Sequence, residues 1–479
     1  MTRRVGLLIV GILFPCLVAF SEEPPERGEA LKALRQAVDF FRSEVGYKGS
    51  YVYRVSSDLK FREGEGKTNR TTGWIQPPGT PFVGEVLVNA YRACGESFLL
   101  DAAREVAEAL HETQLESGGW RDSIEMENGE KLYRYRLGDA SPSVKNESTL
   151  DDNKTQACVR FLMRLDEVTE FSDVALKDTI DYAITKLIAN QFPNGAWPQQ
   201  FQDPPKAADF PVIKASYPET WSRTFPKVNY KTFYTLNDGT ISDTLSVMLE
   251  AYRIYGDSKY LDSAKRAGDF FILAQMPDPQ PAWAQQYNAE MHPVWARKFE
   301  PPAITGGESQ TAILSLMQLY RVSGDSKYLE PVPKAVRYLK QSEREDGQLA
   351  RFYELHTNRP LYFTKKYDLT YDDSDTPTHY SFVVSSKADR LEKSYQKLKD
   401  TPREKLNGTY KFPTHSMSGK VAAAAGDAIK SLDERGAWVT KGSMKNFDGV
   451  TRVIESKTFG SRVSDLAAFL AASKSQTGE

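Results

Sequence analysis

Cysteine and histidine are scarce in this sequence. The 479 residues include three cysteines and five histidines. Cys16 lies in an N-terminal apolar run, which leaves Cys94 and Cys158, too few to build a disulfide framework. No histidines are paired at metal-ligand spacing, and the His-Glu-x-x-His pattern of zinc hydrolases is absent. The sequence therefore gives no support for a disulfide-stabilised scaffold or for zinc chemistry.

Other signatures of common protein classes are also absent. There is no P-loop, no Gly-x-Gly-x-x-Gly after a strand and no Gly-x-Ser-x-Gly. The 62 basic and 64 acidic residues give a net charge of −2, without the basic excess typical of nucleic-acid binding. Nucleotide and serine-nucleophile chemistry therefore have no support, and we expect no nucleic-acid partner. An anionic substrate would have to be held by local Arg and Lys or by a metal ion.

The N-terminus has the layout of a secretory signal. Arg3 and Arg4 precede an apolar run over residues 5–20, and Ser21 completes a small-x-small cleavage site. The run is short for a membrane span. We interpret residues 1–21 as a signal peptide and expect a secreted or periplasmic protein without membrane association after cleavage. An N-terminal membrane anchor is the alternative interpretation.

A phrase recurs along the chain. A helical pattern ends in Tyr-x-x-x-Gly followed by an acidic residue, a second helical pattern follows, and it closes on Gln and then Gly or Trp. The tyrosine and glycine of the three fuller copies are Tyr91 and Gly95, Tyr252 and Gly256, and Tyr320 and Gly324. A further copy keeps only its end, Gln191 to Trp197. Repetition at this length predicts helical hairpins that stack on one another, with the glycines as C-caps.

The predicted fold is all-α, because alternation typical of strands is nearly absent. Helix pairs are predicted over residues 80–113, 156–190, 241–275 and 308–340. Long loops between the pairs are rich in Trp, Tyr and Pro and are the expected place for function. We expect one catalytic domain over residues 22–385 and a helical extension over residues 386–479 that packs on the same body.

Two polar clusters stand directly before predicted helices. The first contains Asp151, Asp152 and Asn153, and the second contains Asn237 and Asp238. Helix N-caps and turns explain such residues in the simplest case. Two adjacent carboxylates exceed what one cap needs, however, and oxygen-rich clusters suit Ca2+. In a ring of hairpins, equivalent corners face the same cleft, so the sequence predicts that the two clusters meet.

Two loops combine aromatic, amide and basic residues. The loop over residues 281–302 contains Trp283, Gln285, Gln286, Arg297 and Lys298. The functional interpretation is a sugar-binding wall, because aromatic faces stack on sugar rings and polar groups bond hydroxyls and carboxylates. The structural alternative is that the tryptophans are packed and that Arg297 is paired with Glu300.

The loop after the third full copy repeats this combination. It contains Arg351 and Tyr353, which suit a carboxylate-bearing ligand. Further along, His379 and Tyr380 are more typical of a capped turn than of a site.

Taken in order, five motifs of the chain resemble the family 10 pectate lyases. The resemblance covers residues 80–365. The motifs are Asp151-Asp152-Asn153-x-Thr155, Gln191-x-Pro193-Asn194-Gly195-x-Trp197-Pro198-Gln199, Thr235-x-Asn237-Asp238-Gly239, Trp283-Ala284-Gln285-Gln286 and Ala296-Arg297-x-x-Glu300. The resemblance implies an (α/α) toroid, an incomplete barrel of helical hairpins, and Ca2+-assisted β-elimination on polygalacturonate that yields 4,5-unsaturated oligogalacturonides. We expect a monomer acting on this acidic polysaccharide.

The resemblance also implies roles for individual residues. Arg297 would be the base, Asp151 and Asp238 would hold Ca2+ together with the substrate, and Arg351 would bind a substrate carboxylate. The family has Asp-Asn where this chain has Asp151-Asp152, so the ligand among Asp151, Asp152 and Asn153 stays open. The expected substrate-binding residues are Trp197, Asn237, Trp283, Gln285, Gln286, Lys298, Arg351 and Tyr353. The segment 200–230 is an expected insertion that reshapes the groove.

An arginine base has a physical requirement of its own. Its ordinary pKa exceeds 12, so it must be partly neutral in a cation-rich site or transfer its proton in concert with the reaction. Neutralising the substrate carboxylate would help, because that charge opposes formation of the enolate-like anion.

Three alternatives from other classes remain open. A glycoside hydrolase on the same architecture could use Asp152 and Asp238 as its carboxylate pair. A non-catalytic polysaccharide-binding protein would not depend on Arg297 at all. A terpene cyclase shares Gln-x-x-x-Gly-x-Trp phrases, but the absence of Asp-x-Asp-Asp and the secretory signal count against it.

Overall fold

The fold is built from helices. The computed structural model describes residues 24–406 and 412–477. The expected signal peptide, residues 1–21, lies outside the described residues. Among the described helices, none is both long enough and apolar enough to cross a bilayer. The predicted all-α class is confirmed.

Twelve α-helices occur in the described residues, and they alternate between two layers. They are α1 (Arg27–Phe40), α2 (Thr80–Cys94), α3 (Ser97–Glu112), α4 (Lys154–Val168), α5 (Val174–Ala189), α6 (Thr240–Tyr255), α7 (Ser258–Ala274), α8 (Gly306–Ser323), α9 (Val332–Gln341), α10 (Ala388–Asp400), α11 (Gly419–Lys430) and α12 (Ser456–Thr477). Helices α12, α2, α4, α6, α8 and α10 contact one another in that order and form the inner layer. The odd-numbered helices pack outside them, which is the arrangement of an (α/α) toroid.

The four predicted helix pairs are present at the predicted places. The first helices of three pairs, α2, α6 and α8, end at the expected glycines: Gly95, Gly256 and Gly324 have φ of 76°, 72° and 74°. Only a residue without a side chain adopts this left-handed conformation at little cost. The N–H of Gly95 donates to the carbonyl of Tyr91, and the other two glycines bond their tyrosines in the same way. Helix α4 of the remaining pair ends at Thr169.

The recurring Gln-Gly-Trp phrase closes each outer helix. Gln191 Nε2 donates to the carbonyls of Gly195 and Ser263 at 2.8 and 3.0 Å. Trp197 Nε1 donates to the carbonyl of Leu187 at 2.8 Å. The glutamine thus ties its own turn to the next outer helix, and the indole satisfies a carbonyl near the end of the helix before it. The corresponding residues of the neighbouring units are Gln114 with Trp120, and Gln275 with Trp283.

A fourth such tryptophan lies in the C-terminal segment. Trp438 Nε1 donates to the carbonyl of Ala428 at 2.8 Å, across the same ten-residue separation as Trp197 and Leu187. It follows α11 and precedes the inner helix α12. The sequence pattern did not reveal this unit as a further copy, because the tyrosine and glutamine of the recurring phrase are absent from it.

Short strands connect the loops. The strands of the described residues are β1 (Arg54–Ser56), β2 (Arg62–Glu63), β3 (Thr72–Trp74), β4 (Ser123–Glu125), β5 (Ser148–Thr149), β6 (Gln200–Phe201), β7 (Tyr234–Thr235), β8 (Gln286–Tyr287), β9 (Ala303–Thr305), β10 (Gln348–Ala350), β11 (Phe352–Glu354), β12 (Pro360–Phe363), β13 (Leu369–Thr370), β14 (Val383–Ser385), β15 (Val439–Lys441) and β16 (Arg452–Glu455). All pairings between them are antiparallel, including β5 with β6 and β7 with β8. Strands of two to four residues are too short to leave an alternating pattern in the sequence.

The two ends of the described chain pack together. Strand β1 pairs with β16, and α12 packs against α1, α2 and α11. The rings of Phe41 and Phe459 stack with centroids 3.9 Å apart. The described residues after 386 therefore supply two helices of the inner layer, α10 and α12, and part of the sheet that contains β1. The C-terminal segment packs on the same body as the rest of the ring.

We expect Phe459→Ala to destabilise the whole ring. The side chain is 3% exposed and fills the contact between α12 and the N-terminal segment. Removing a buried phenylalanine leaves a cavity and lowers the free energy of unfolding by about 3–5 kcal/mol. Thermal unfolding of the purified protein measures this loss. Leu137→Ala, at a position 58% exposed, is the control and should change stability by less than about 0.5 kcal/mol.

Candidate active site

Three successive corners of the ring have the same backbone hydrogen bonds. In each corner, the threonine before an inner helix donates its N–H to the carbonyl of the loop tryptophan. The pairs are Thr149 with Trp120, Thr235 with Trp197, and Thr305 with Trp283. The next N–H donates to a carbonyl of the following loop, in the pairs Leu150 with Gln199, Leu236 with Gln285, and Gly306 with Arg351. Gln199, Gln285 and Arg351 therefore occupy equivalent positions.

The two acidic clusters are equivalent corners of this pattern. Asp152 and Asp238 both adopt left-handed backbone conformations, with φ of 47° and 51°. Asp151 and Asn237 stand one residue earlier, and each accepts a hydrogen bond from the glutamine of its corner. The N-cap interpretation is wrong, because the capping residues before α4 and α6 make no side-chain cap bond. The carboxylates are left for another purpose.

The corner glutamines fix these side chains. Gln199 Nε2 donates to Asp151 Oδ1 at 2.9 Å, and Gln285 Nε2 donates to Asn237 Oδ1 at 2.6 Å. Asn237 Nδ2 then donates to Asp238 Oδ2 at 2.8 Å. Asn237 and Gln285 are 1% and 4% exposed, so they orient the acidic group rather than form an outer wall.

Three carboxylates converge where the two corners meet. One oxygen each from Asp151, Asp152 and Asp238 lies within 4.8 Å of the others. Burial and the negative charges of Asp151 and Asp152 raise the pKa of Asp238 to about 8. Burial and Asp151 also raise the pKa of Asp152. Hard carboxylate oxygens gathered against their own repulsion are the donor set that Ca2+ prefers, so these residues fit that ion.

Arg297 lies beside this cluster as a charged group. Its Nε donates to Glu300 Oε2 at 2.7 Å, its Nη2 bonds Glu300 Oε1, and Nη2 is 3.7 Å from Asp238 Oδ2. Burial lowers the pKa of Arg297, but the hydrogen bonds and charge of Glu300 outweigh this and raise it above the ordinary value. The pairing with Glu300 expected in the structural alternative is present. Of the two conditions stated for an arginine base, a partly neutral guanidinium in a cation-rich site is not met in the ligand-free protein, because Arg297 pairs with the carboxyl groups of Glu300 and Asp238.

Tyr380 connects the basic and acidic groups. Its hydroxyl donates to Glu300 Oε1 at 3.0 Å and accepts from Gln285 Nε2 at 3.2 Å and Arg351 Nη1 at 3.4 Å. The guanidinium carbons of Arg297 and Arg351 lie 5.5 and 4.6 Å from its ring centroid. The interpretation of this segment as only a capped turn missed the contact, which joins loops 80 residues apart.

Arg351 is placed at the site by the corner pattern. It occupies the position of Gln285 in the next corner, and its Nε donates to the carbonyl of Ser381 at 2.6 Å. Its Nη1 lies 3.4 Å from Glu308 Oε1. Lys298 is exposed and lies over the ring of Tyr367, with Nζ 3.5 Å from its centroid. Arg351 and Lys298 are therefore both accessible, at least over part of the side chain, to an anionic ligand.

Four residues predicted to bind substrate are instead buried. Trp197 and Trp283 are 0% exposed, so neither can stack on a sugar ring, and that prediction is wrong. Tyr353 is 1% exposed and donates to the carbonyl of Ser342 at 2.6 Å. Gln286 is also 1% exposed. These aromatic residues and this amide fill the cores of the corners. Buried residues of these types give the same sequence pattern as an exposed sugar-binding wall.

The expected insertion lies against the site. Trp295 Nε1 donates to the carbonyl of Ser222 at 2.8 Å, and Arg223 pairs with the buried Glu354. Burial raises the pKa of Tyr230, whose hydroxyl senses the charges of Arg297, Glu300 and the acidic cluster. The end of the segment 200–230 therefore contacts the two loops that carry Arg297 and Arg351.

We expect the stability of the calcium-free protein to fall as the pH rises from about 4 to about 8. The folded-state pKa of Asp238 is about 8, above the ordinary value of 3.8. The stability contributed by its protonated form is complete below the unfolded pKa and is lost as the pH passes through the folded pKa. Thermal unfolding in chelator across this range measures the slope, and Asp238→Asn should flatten it.

Asp257→Asn is the control for this series. Asp257 is exposed, and a backbone hydrogen bond from Lys259 lowers its pKa, so its neutralisation should leave the slope in place. An unchanged slope in Asp238→Asn would contradict the assignment.

Comparisons with known proteins agree with the sequence motifs. Residues 127–346 match the family model of pectic acid lyase, so the resemblance stated from the motifs is confirmed over that segment. No curated protein sequence matches the chain.

Several solved structures resemble the fold. A mutant family 10 polysaccharide lyase from Cellvibrio cellulosa, in complex with trigalacturonic acid, is 18% identical, with 67% of this chain and 98% of that chain covered and a TM-score of 0.45. Another structure of a family 10 polysaccharide lyase from Cellvibrio cellulosa is 17% identical, with coverages of 66% and 97% and a TM-score of 0.43. Cellobiose 2-epimerase from Bacillus thermoamylovorans is 14% identical, with coverages of 93% and 98% and a TM-score of 0.44.

Proposed function

Residues 127–346 carry the pectic acid lyase pattern, and from this premise we propose that the protein is a polysaccharide lyase that cleaves polygalacturonate by calcium-assisted β-elimination. The observation that carries the proposal is the meeting of Asp151, Asp152 and Asp238 beside the guanidinium of Arg297. These groups come from three loops that are distant in sequence. A structural role alone would not require three converging carboxylates.

The charges around the site favour a uronate chain as the ligand. Arg297 lies beside the acidic cluster, and Arg351 shares the ring of Tyr380 with it. Guanidinium groups bind carboxylates in a planar, two-pronged geometry. A uronate chain would offer these guanidinium groups carboxylates in addition to the partners that they already have, which a neutral polysaccharide would not. The proposed substrate is therefore an acidic polysaccharide, and the active form is proposed to be a monomer.

Calcium is the proposed cofactor. Asp151, Asp152 and Asp238 would hold it, and when bound it neutralises the substrate carboxylate and so acidifies the adjacent C–H. Gln199 and Asn237 keep the acidic side chains aimed at the same point before any ligand arrives. This preorganisation spares the site the cost of ordering them during the reaction.

Arg297 is the proposed base. It is paired with Glu300 and Asp238, so its pKa must fall before it can accept a proton. Glu300 and Asp238 hold it protonated in the ligand-free state. Asp238 is shared between Arg297 and the proposed calcium site, so neutralising Asp238 weakens one of the two charges that raise the pKa of Arg297. Glu300 stays bound through two oxygens and keeps the guanidinium oriented.

The geometry disfavours a glycoside hydrolase. The candidate pair, Asp152 and Asp238, belongs to a group of three carboxylates whose oxygens lie within 4.8 Å. Glycosidases hold two carboxyl groups about 5–5.5 Å apart for retention or about 6.5–9.5 Å apart for inversion. The glycosidase mechanism uses two carboxyl groups, whereas three gathered at one point are the donor set of a cation.

The deciding experiment follows the unsaturated product. The protein is incubated with polygalacturonate at alkaline pH, with calcium or with chelator, and ultraviolet absorbance is recorded. We expect absorbance to rise with calcium only, and Arg297→Lys to lower kcat/KM by about 100-fold or more, because lysine cannot keep the two-pronged position. Arg435→Lys, which alters an arginine paired with Asp433, is the matched control and should retain full activity.

Two results would contradict the proposal. Reducing ends without absorbance would indicate a hydrolase, and binding of polygalacturonate without either product would indicate a binding protein. An Arg297→Lys enzyme as fast as the unaltered protein would reject Arg297 as the base while leaving the lyase in place.

We also expect Tyr380→Phe to shift the pH profile of activity to higher pH. The change removes a hydrogen bond to Glu300, which then holds Arg297 more strongly and keeps it protonated. A lost bond to a charged group corresponds to a loss of about 10–100-fold in kcat/KM at neutral pH. Tyr371→Phe removes a hydroxyl bonded to Glu354 instead and should not shift the profile. An unshifted profile in Tyr380→Phe would contradict the positioning role.

A further inference from the structure

A buried lysine lies under the acidic cluster. Lys154 Nζ is 2.9 Å from Asp122 Oδ1, 3.1 Å from Asp151 Oδ2 and 4.0 Å from Asp152 Oδ2. Its side chain is 3% exposed. The ammonium group therefore lies among three carboxylates and has almost no contact with solvent.

The position of Lys154 is unfavourable for a cation on other grounds. It is the first residue of α4, where the helix dipole and the free backbone N–H groups favour negative charge. The corresponding first-turn residue of α8 is an acid, Glu308. Lys154 and Glu308 are equivalent because the residues that follow them, Thr155 and Ser309, make the same contact. The hydroxyl of each accepts a hydrogen bond from the backbone N–H of its loop tryptophan, at 3.1 and 3.0 Å. Lys154 is therefore held in place by the carboxylates and not by its helix.

Lys154 uses an oxygen that a metal ion would need. Asp151 Oδ1 accepts from Gln199, and Asp151 Oδ2 accepts from Lys154, so both of its oxygens are engaged. A cation arriving at the cluster meets an ammonium already bound to one of its three acids. The two positive charges repel each other, and they share Asp151 and Asp152 as partners.

We propose that Lys154 is a built-in counter-cation that competes with calcium for the carboxylate cluster and so sets the calcium affinity of the free protein. The inference rests on the proposed calcium site. Asp122 is the second anchor of Lys154 and draws the ammonium away from the cluster. The balance between Asp122 and Asp151 determines how much of the acidic charge is open to the ion.

The direct test replaces Lys154 with an uncharged residue of similar length. Calcium is titrated into the full-length protein without polysaccharide by isothermal titration calorimetry. We expect Lys154→Met to bind calcium about tenfold more tightly or better, because the repelling charge is gone. At a fixed calcium concentration, the calcium-induced rise in melting temperature should also be larger than for the unaltered protein. Lys154→Arg keeps the charge and should restore the weaker binding.

A second variant tests the anchor and does not require Lys154→Met to fold. Asp122→Asn frees Lys154 to engage Asp151 and Asp152 fully, so calcium binding should weaken. Removal of a negative charge weakens cation binding in any case, and a double-mutant cycle separates the two effects. In the Lys154→Met background, Asp122→Asn should weaken calcium binding much less than it does alone. Lys177→Met removes a lysine paired with Asp181 on α5 and should leave calcium binding unchanged.

The outcomes distinguish this inference from the proposed function. Equal or weaker calcium binding by Lys154→Met, with binding still abolished by Asp238→Asn, would overturn the role of Lys154 and leave the calcium site standing. An absence of calcium binding in the unaltered protein and in Lys154→Met would overturn the inference, and would leave standing a site that holds calcium only together with the substrate. Tighter binding by Lys154→Met without lyase activity in any variant would support the role of Lys154 and reject the reaction.

Discussion

The backbone hydrogen bond between each corner threonine and its loop tryptophan is the constraint on which the site depends. Thr149 and Thr235 donate to Trp120 and Trp197, and these bonds fix where each inner helix begins. The indoles in turn bond the ends of the outer helices and are buried in the corners. Because both corners are fixed in this way, their carboxylates cannot move apart to relieve repulsion. The rigidity of the ring is what makes the acidic cluster possible.

Fixed like charges require fixed opposite charges, and the chain supplies two. Lys154 lies beneath the cluster and Arg297 lies beside it, each bound to one acid of the cluster and to one acid outside it. This shared arrangement couples the groups: a change of charge at Asp238 alters Arg297, and a change at Asp151 alters Lys154. A divalent cation would therefore act on both basic groups, although it contacts neither of them.

Features that depend on neighbouring residues were predicted correctly from the sequence. Features that depend on whether a side chain is buried were not. The helix pairs and the left-handed glycines such as Gly95 follow from periodicity and capping, and equivalent corners of a repeat were correctly expected to meet. Trp197 and Trp283 were assigned to a sugar-binding wall, because exposed and buried aromatic residues give the same pattern in a sequence. Tyr380 was interpreted as part of a capped turn and Lys154 was assigned no role, because their partners lie on other loops and a lysine at a helix start is usually exposed to solvent.

The charged state of Arg297 is compatible with a role as base only if binding changes its surroundings. In the ligand-free protein Glu300 binds Arg297 through two oxygens, and Asp238, which becomes an anion as the pH rises toward about 8, lies 3.7 Å away. These contacts fix the position of the Arg297 guanidinium, but they also keep it protonated and so prevent it from accepting a proton. A ligand that neutralises Asp238 would lower the pKa of Arg297 without moving its side chain, because Glu300 alone maintains the geometry. Under the proposed role of Arg297 as base, its activation would therefore depend on a cation bound by the acidic cluster.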